Sequence, residues 1–194
     1  VRLLLARYGI VSRQILALDG AAVAWGTPYP VLTRMEWRGE LARGLFVEGL
    51  AGAQFAREET LSGLEHGESG WTLLSTTDPA VVYGAGAPFP VTHPTDPEWR
   101  LRRGPGSFLV LQGGLPLLAI EGWGERLTAL TDLASEELQQ GLALLPRLVV
   151  GPLRRLTVHS WNGAPVMESP IEGMLRDLGF QRGPDALILY RRYG

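Results

Sequence analysis

Thr27-Pro28-Tyr29-Pro30-Val31-Leu32-Thr33-Arg34-Met35-Glu36-Trp37-Arg38-Gly39 runs on into Glu40-Leu41-Ala42-Arg43-Gly44-Leu45-Phe46-Val47-Glu48-Gly49-Leu50-Ala51-Gly52-Ala53-Gln54-Phe55-Ala56, and this stretch decides how the chain is read. Its first part predicts a helix over 28–38. Thr27 suits the cap, Pro28 the first helical position, and Gly39 the left-handed residue past the end. Leu32 and Met35 share one face. Pro30, Arg34, Trp37 and Arg38 share another, at offsets of four, seven and eight residues. The second part predicts a hairpin, with strands near 41–47 and 53–56 around Gly49 and Gly52. An apolar inner face, an arginine-bearing outer face and a glycine-rich hairpin carrying Arg43 together suit a winged helix facing DNA.

The chain before this stretch completes that unit. Arg2–Tyr8 reads as a short helix ended by Gly9, and Ser12 caps a second over Arg13–Leu18, stopped at Asp19-Gly20. Residues 21–26 turn into the third helix. Three helices and a wing assign residues 1–57 to a winged helix. Residues 58–70 read as a connecting helix over 58–64 and a loop at 66–70.

Residues 71–194 read as a β-rich module. A strand over 71–76 precedes a stretch, 78–97, whose five prolines exclude regular structure. Strands over 99–103, 107–112, 115–121 and 126–130, joined by glycine turns, predict a small antiparallel sheet or barrel. Ser135 caps a helix striped with Leu138, Leu142, Leu145 and Leu148. Strands over 156–161 and 165–167 flank the turn dipeptide Asn162-Gly163. Ser169-Pro170-Ile171-Glu172 reads as a capping box opening a helix that stops at Gly179, and 187–190 as a last strand. The fold class is α+β: an N-terminal winged helix-turn-helix, then a small antiparallel β-sheet or barrel-like module with two packed helices.

Composition narrows the function. With 194 residues, 45% of them hydrophobic, the chain should fold. Every apolar run is interrupted before it reaches a membrane span, so no membrane partner is expected. The first residues are too short and too charged for a signal peptide, and without an initiator Met the chain is expected to be part of a longer one. The absence of cysteine excludes disulfides and thiolate sites and is compatible with a cytoplasmic protein. All 18 cations are arginine, each a planar guanidinium able to grip phosphate in a bidentate way. Residues 1–57 carry +3 and residues 58–194 carry −5. Phosphate contact is therefore expected early and weak. The acidic second half is a candidate surface for self-association.

No phosphate loop can exist without lysine, and His66, His93 and His159 lack ligand spacing, so no metal is expected. Arg34, Arg38 and Arg43 are the leading DNA-binding candidates, against the alternative of ordinary solvated charges. Trp37 and Trp25 suit stacking on unpaired bases, although core packing is the commoner fate. Arg100 and Arg102, placed on one side of a strand and followed by Arg103, form either a second phosphate contact or a charged edge. The weak catalytic candidates are Gln54, polar in an otherwise buried strand, and Asp78, a turn starter or a carboxylate able to activate water.

Several segments resemble, in order, the C-terminal end of the large helicase-related (Lhr) proteins, DNA helicases of superfamily two. They are Arg43-Gly44-Leu45-Phe46-Val47-Glu48-Gly49 through Gln54-Phe55-Ala56, Thr77-Asp78-Pro79 with Tyr83-Gly84 and Pro88-Phe89-Pro90, Gly113-Gly114 to Glu121, and Asn162-Gly163 through Ser169-Pro170 to Gly179-Phe180. The resemblance implies a parent that is an ATP-dependent DNA translocase and helicase of bacterial DNA repair. ATP and magnesium would serve motor lobes upstream of Val1, with no cofactor in this piece. Its implied partners are single-stranded or partly unwound DNA and the upstream helicase domains. The same C-terminal region is similar to winged-helix DNA glycosylases, which implies excision of uracil or damaged bases. Those enzymes carry Gln-x-Gln; here Ala56 stands where the second Gln would be, so no catalytic role passes to a particular residue. The tail through Arg191 and Arg192 departs from the family pattern.

Overall fold

The computed structural model describes residues 1–19, 23–65, 67, 69–83, 87–91, 93, 96–150 and 153–191. They form two compact units, Val1–Glu68 with Pro79–Phe89, and Ser69–Asp78 with Pro90–Gly194. The proline-rich stretch expected as one long loop thus supplies 79–89 to the first unit.

The first unit runs α1 (Arg2–Tyr8), β1 (Ile10–Val11), α2 (Arg13–Leu18), α3 (Tyr29–Trp37), β2 (Ala42–Gly44), β3 (Gln54–Ala56) and α4 (Glu58–Glu65). Its antiparallel sheet has the order β1-β3-β2, which is the winged-helix arrangement. Being central, β3 is buried along its whole length. Phe55 packs with Leu5, Val11, Leu32, Met35 and Leu41 in the core, so α3 buries the pair its spacing predicted. A second cluster gathers Ile10, Ile15, Leu50, Ala56 and Ala87.

Both ends of α3 follow from local chemistry. Pro28, not Thr27, holds the cap position, without a side-chain hydrogen bond; its φ of −76° is already helical. At the other end Gly39 adopts φ 72°. Gly39 N–H donates to Glu36 O and Glu40 N–H to Met35 O, each at 2.9 Å, which satisfies carbonyls the helix leaves over. The wing strands are shorter than expected. Pairing stops at Gly44 opposite Gln54, and the amides two and three residues on, of Phe46 and Val47, donate to the Gln54 side chain instead.

The second unit runs β4 (Trp71–Ser75), β5 (Phe108–Gln112), β6 (Leu115–Glu121), β7 (Arg126–Ala129), α5 (Ser135–Leu142), α6 (Pro146–Val150), β8 (Arg155–Val158), β9 (Ser160–Trp161), β10 (Ala164–Pro165), α7 (Glu172–Asp177), β11 (Gln181–Arg182) and β12 (Leu187–Tyr190). One sheet has the order β10-β9-β7-β6-β5-β4 and the other β11-β12-β8. All pairs are antiparallel except β7 with β9. The core joins Val110, Leu118 and Ile120 of the large sheet to Leu142, Leu148 and Leu175 of the helices.

Four expectations change here, besides the cap of α5, which is Ala134 and not Ser135. Residues 99–103 form no strand. The leucine stripe is buried but broken into α5 and α6, since Pro146 has no N–H to continue a helix. The strand expected over 156–161 divides at His159, its halves entering different sheets. The capping box does not form: Ile171 is the cap of α7, and Ser169 Oγ donates to Val166 O at 2.7 Å.

Candidate nucleic-acid interface

The outer face of α3 is built by default. A helix satisfies its own backbone, so side chains that do not face the core are free to point outward. Leu32 and Met35 take the inner face; Pro30, Val31, Arg34, Trp37 and Arg38 are exposed. Trp37 is 80% exposed, an indole with almost no protein cover. Among the described residues no carboxylate lies within ion-pair distance of Arg34. Among the described residues the only carboxylate within ion-pair distance of Arg38 is Glu40, at 3.9 Å. Beside them runs a groove of about 850 Å³ lined by Leu3, Leu4, Val31 and Met35, with Arg34 and Arg38 also contributing.

Arg43 behaves differently. Its Nε–H donates to Glu36 Oε1 at 2.9 Å, and Nη2 lies 2.9 Å from Glu36 Oε2. Its guanidinium also sits 5.7 Å from the centre of the Phe55 ring and within reach of Tyr29 Oη. This two-point pairing neutralises Arg43 and ties β2 to α3. The two tryptophans separate likewise: Trp25 packs with Tyr29 and Phe55, its ring 5.7 Å and 6.5 Å from theirs, whereas Trp37 meets solvent.

Gln54 is fully buried and fully used. Oε1 accepts from Phe46 N–H (2.9 Å) and Val47 N–H (2.8 Å), while Nε2 donates to Val47 O (3.1 Å) and Leu50 O (3.0 Å). A glutamine amide offers two donors and one two-lone-pair acceptor, so no polar capacity remains for a substrate. Asp78 belongs to the second unit; its N–H donates to Ser75 O at 2.9 Å in the turn after β4.

Arg100 and Arg102 lie in a loop, so strand alternation does not align them. Arg100 Nη1 donates to Pro97 O (2.7 Å) and Trp99 O (2.8 Å), carbonyls that a strand would have paired. Together with Trp99, Glu121 and Arg126 the two arginines line a groove of about 560 Å³ that Asp96 and Glu98 also border. Trp99 is half-buried and stacks on His93, centroids 6.0 Å apart. His159 faces Asp185 at 3.5 Å. His66, Gly84 and Arg192 lie outside the described residues. Among the described residues no three metal-ligating side chains gather, and no helix is long and apolar enough to cross a membrane.

The resolved titration shifts lie away from these groups. Burial raises the Tyr83 phenol, burial and then Asp19 raise that of Tyr8, and the hydrogen bond to Asp19 raises Arg7. Leu45 was overlooked in the sequence. It is 79% exposed at the start of the wing, and the alternation from Arg43 was the signal available. Glu36, the partner of Arg43, had no sequence signal, since the pairing depends on where β2 lies against α3.

Residues 1–70 match the family described as large helicase-related protein, winged-helix domain. Over 95% of its length the chain is 33% identical to a protein named Lhr helicase/uracil glycosylase from Escherichia coli strain K12. Over 96% it is 31% identical to one named Lhr helicase/probable uracil glycosylase from Mycolicibacterium smegmatis. It spans 12% and 13% of the length of these two relatives.

Proposed function

The chain belongs, through residues 1–70, to the winged-helix family of large helicase-related proteins, and we propose that it is a DNA-binding accessory module of an ATP-dependent repair helicase. In this reading α3 holds single-stranded or partly unwound DNA, and the motor, with its ATP and magnesium, lies in other domains of the parent. The observation that carries it is Trp37, 80% exposed on the same helix face as Arg34 and Arg38. Stacking on an indole is worth roughly 1–3 kcal/mol per base and is indifferent to sequence. The two guanidiniums suit adjacent phosphates. With two phosphate contacts the piece alone binds weakly, and the slope of log affinity against log salt is about −1.4 on a single strand.

The test is fluorescence anisotropy of labelled oligo-dT across a salt series. Arg34→Ala with Arg38→Ala should lower affinity and flatten the salt dependence; unchanged curves would sink the proposal. A second reading, excision of uracil or another damaged base, is favoured by the names of both relatives. With Gln54 saturated, that chemistry needs groups other than this amide. Incubating the chain with uracil-containing single strands and assaying abasic sites tests it; a folded, DNA-binding sample that yields none counts against it.

A further inference from the structure

We propose that Leu45 is an apolar prong that the wing inserts between bases where a duplex opens. The proposal rests on the DNA-binding reading above. Among the described residues, Trp37 and Leu45 are the most exposed of the large apolar side chains, at 80% and 79%. Both belong to the winged helix, and the ion pair between their neighbours links them. Glu36, adjacent to Trp37 on α3, grips Arg43, two residues before Leu45.

The exposure of Leu45 is imposed by the residues around it. Phe46 folds under Gly44, so closely that a Cβ on Gly44 would lie 2.7 Å from the Phe46 ring. Phe46 packs against the cluster of Ile10, Ile15 and Leu50, which leaves Leu45 outside. The backbone just beyond it is anchored, because the N–H groups of Phe46 and Val47 both donate to the buried Gln54 amide. Farther round the wing, Pro88 packs directly on Gly49, where the backbone has φ 78° and no Cβ would fit. A leucine on a loose loop can fold back onto the protein; this one is presented from a braced base.

Such a group suits one occupant. Aliphatic wedges enter base steps, unstack them and make no demand on sequence. Arg34 and Arg38 supply the phosphate contacts that hold the strand, and Trp37 offers a surface on which a released base can stack. The prong therefore acts at a junction, not on a uniform single strand.

The experiment uses the 194-residue chain and a forked DNA carrying 2-aminopurine at the first pair of the duplex. Its emission rises when it unstacks. Anisotropy on labelled oligo-dT is measured in parallel. Wild type should raise the emission; Leu45→Ala should bind oligo-dT with unchanged affinity yet lose the rise; Leu45→Met should keep it. Because the side chain is exposed, the thermal midpoint of both variants should match wild type. A full rise with Leu45→Ala overturns the proposal, as does binding of the fork by wild type without any rise. Equal losses of oligo-dT affinity and of the rise would make Leu45 an ordinary contact and overturn it too. If wild type binds neither DNA, the DNA-binding reading falls and the prong with it.

Discussion

Two regions of this molecule carry the same trio, a tryptophan with two nearby arginines, and they hold it differently. On α3, Arg34, Trp37 and Arg38 stand on a helix whose backbone bonds are internal, and all three face solvent. In the 96–103 loop, Arg100 and Arg102 are exposed as well, but Arg100 Nη1 donates to the carbonyls of Pro97 and Trp99, and Trp99 lies half-buried on His93. Backbone groups must be satisfied somewhere. A helix does this itself and releases its side chains; a loop borrows them. Identical residue types are therefore left open to solvent in one place and partly tied into loop scaffolding in the other.

Removing the support beneath the first region should have the largest effect. Gln54→Ala deletes four hydrogen bonds and strands wing amides, which should cost about 3 kcal/mol of stability, read as a fall in the thermal midpoint. Next comes Trp37→Ala, expected to weaken oligo-dT binding by about 1–3 kcal/mol with no loss of stability. Trp99→Ala should leave binding alone; equal effects from the two tryptophans would erase the difference between the regions. Glu36→Gln frees the Arg43 guanidinium and should tighten binding several-fold, steepening the salt slope by about 0.7. The smallest effect belongs to the pair Arg100→Ala and Arg102→Ala, expected to change oligo-dT affinity less than about twofold, because carboxylates border their groove. A larger loss in that titration would make the loop a second strand contact.

Much of the first unit was legible. The bounds of α1 and α2, the buried pair Leu32 and Met35, and the left-handed Gly39 followed from spacing and terminal residues. The second unit was read less well wherever a distant partner decided. Alternation in 99–103 suggested a strand, but the described residues form none there. The Ser169 capping signal lost to a nearby carbonyl, that of Val166. Pro146 was visible in the leucine stripe, yet regular spacing on both sides of it masked the break.

For the candidate site the division is sharper. Sequence by itself determined which residues face outward from α3, because helical period and the apolar pair Leu32 and Met35 leave the opposite face no alternative. It also determined that every cation on that face is a guanidinium. Only the tertiary structure decided which of these charges stays available. Arg43 is neutralised because β2 lies where its guanidinium meets Glu36. Gln54 became a brace because β3 is central and buried beside an unpaired wing. Arg43 meets Glu36 seven positions away, and Gln54 meets Phe46 and Val47 eight and seven away; no local periodicity encodes such pairings.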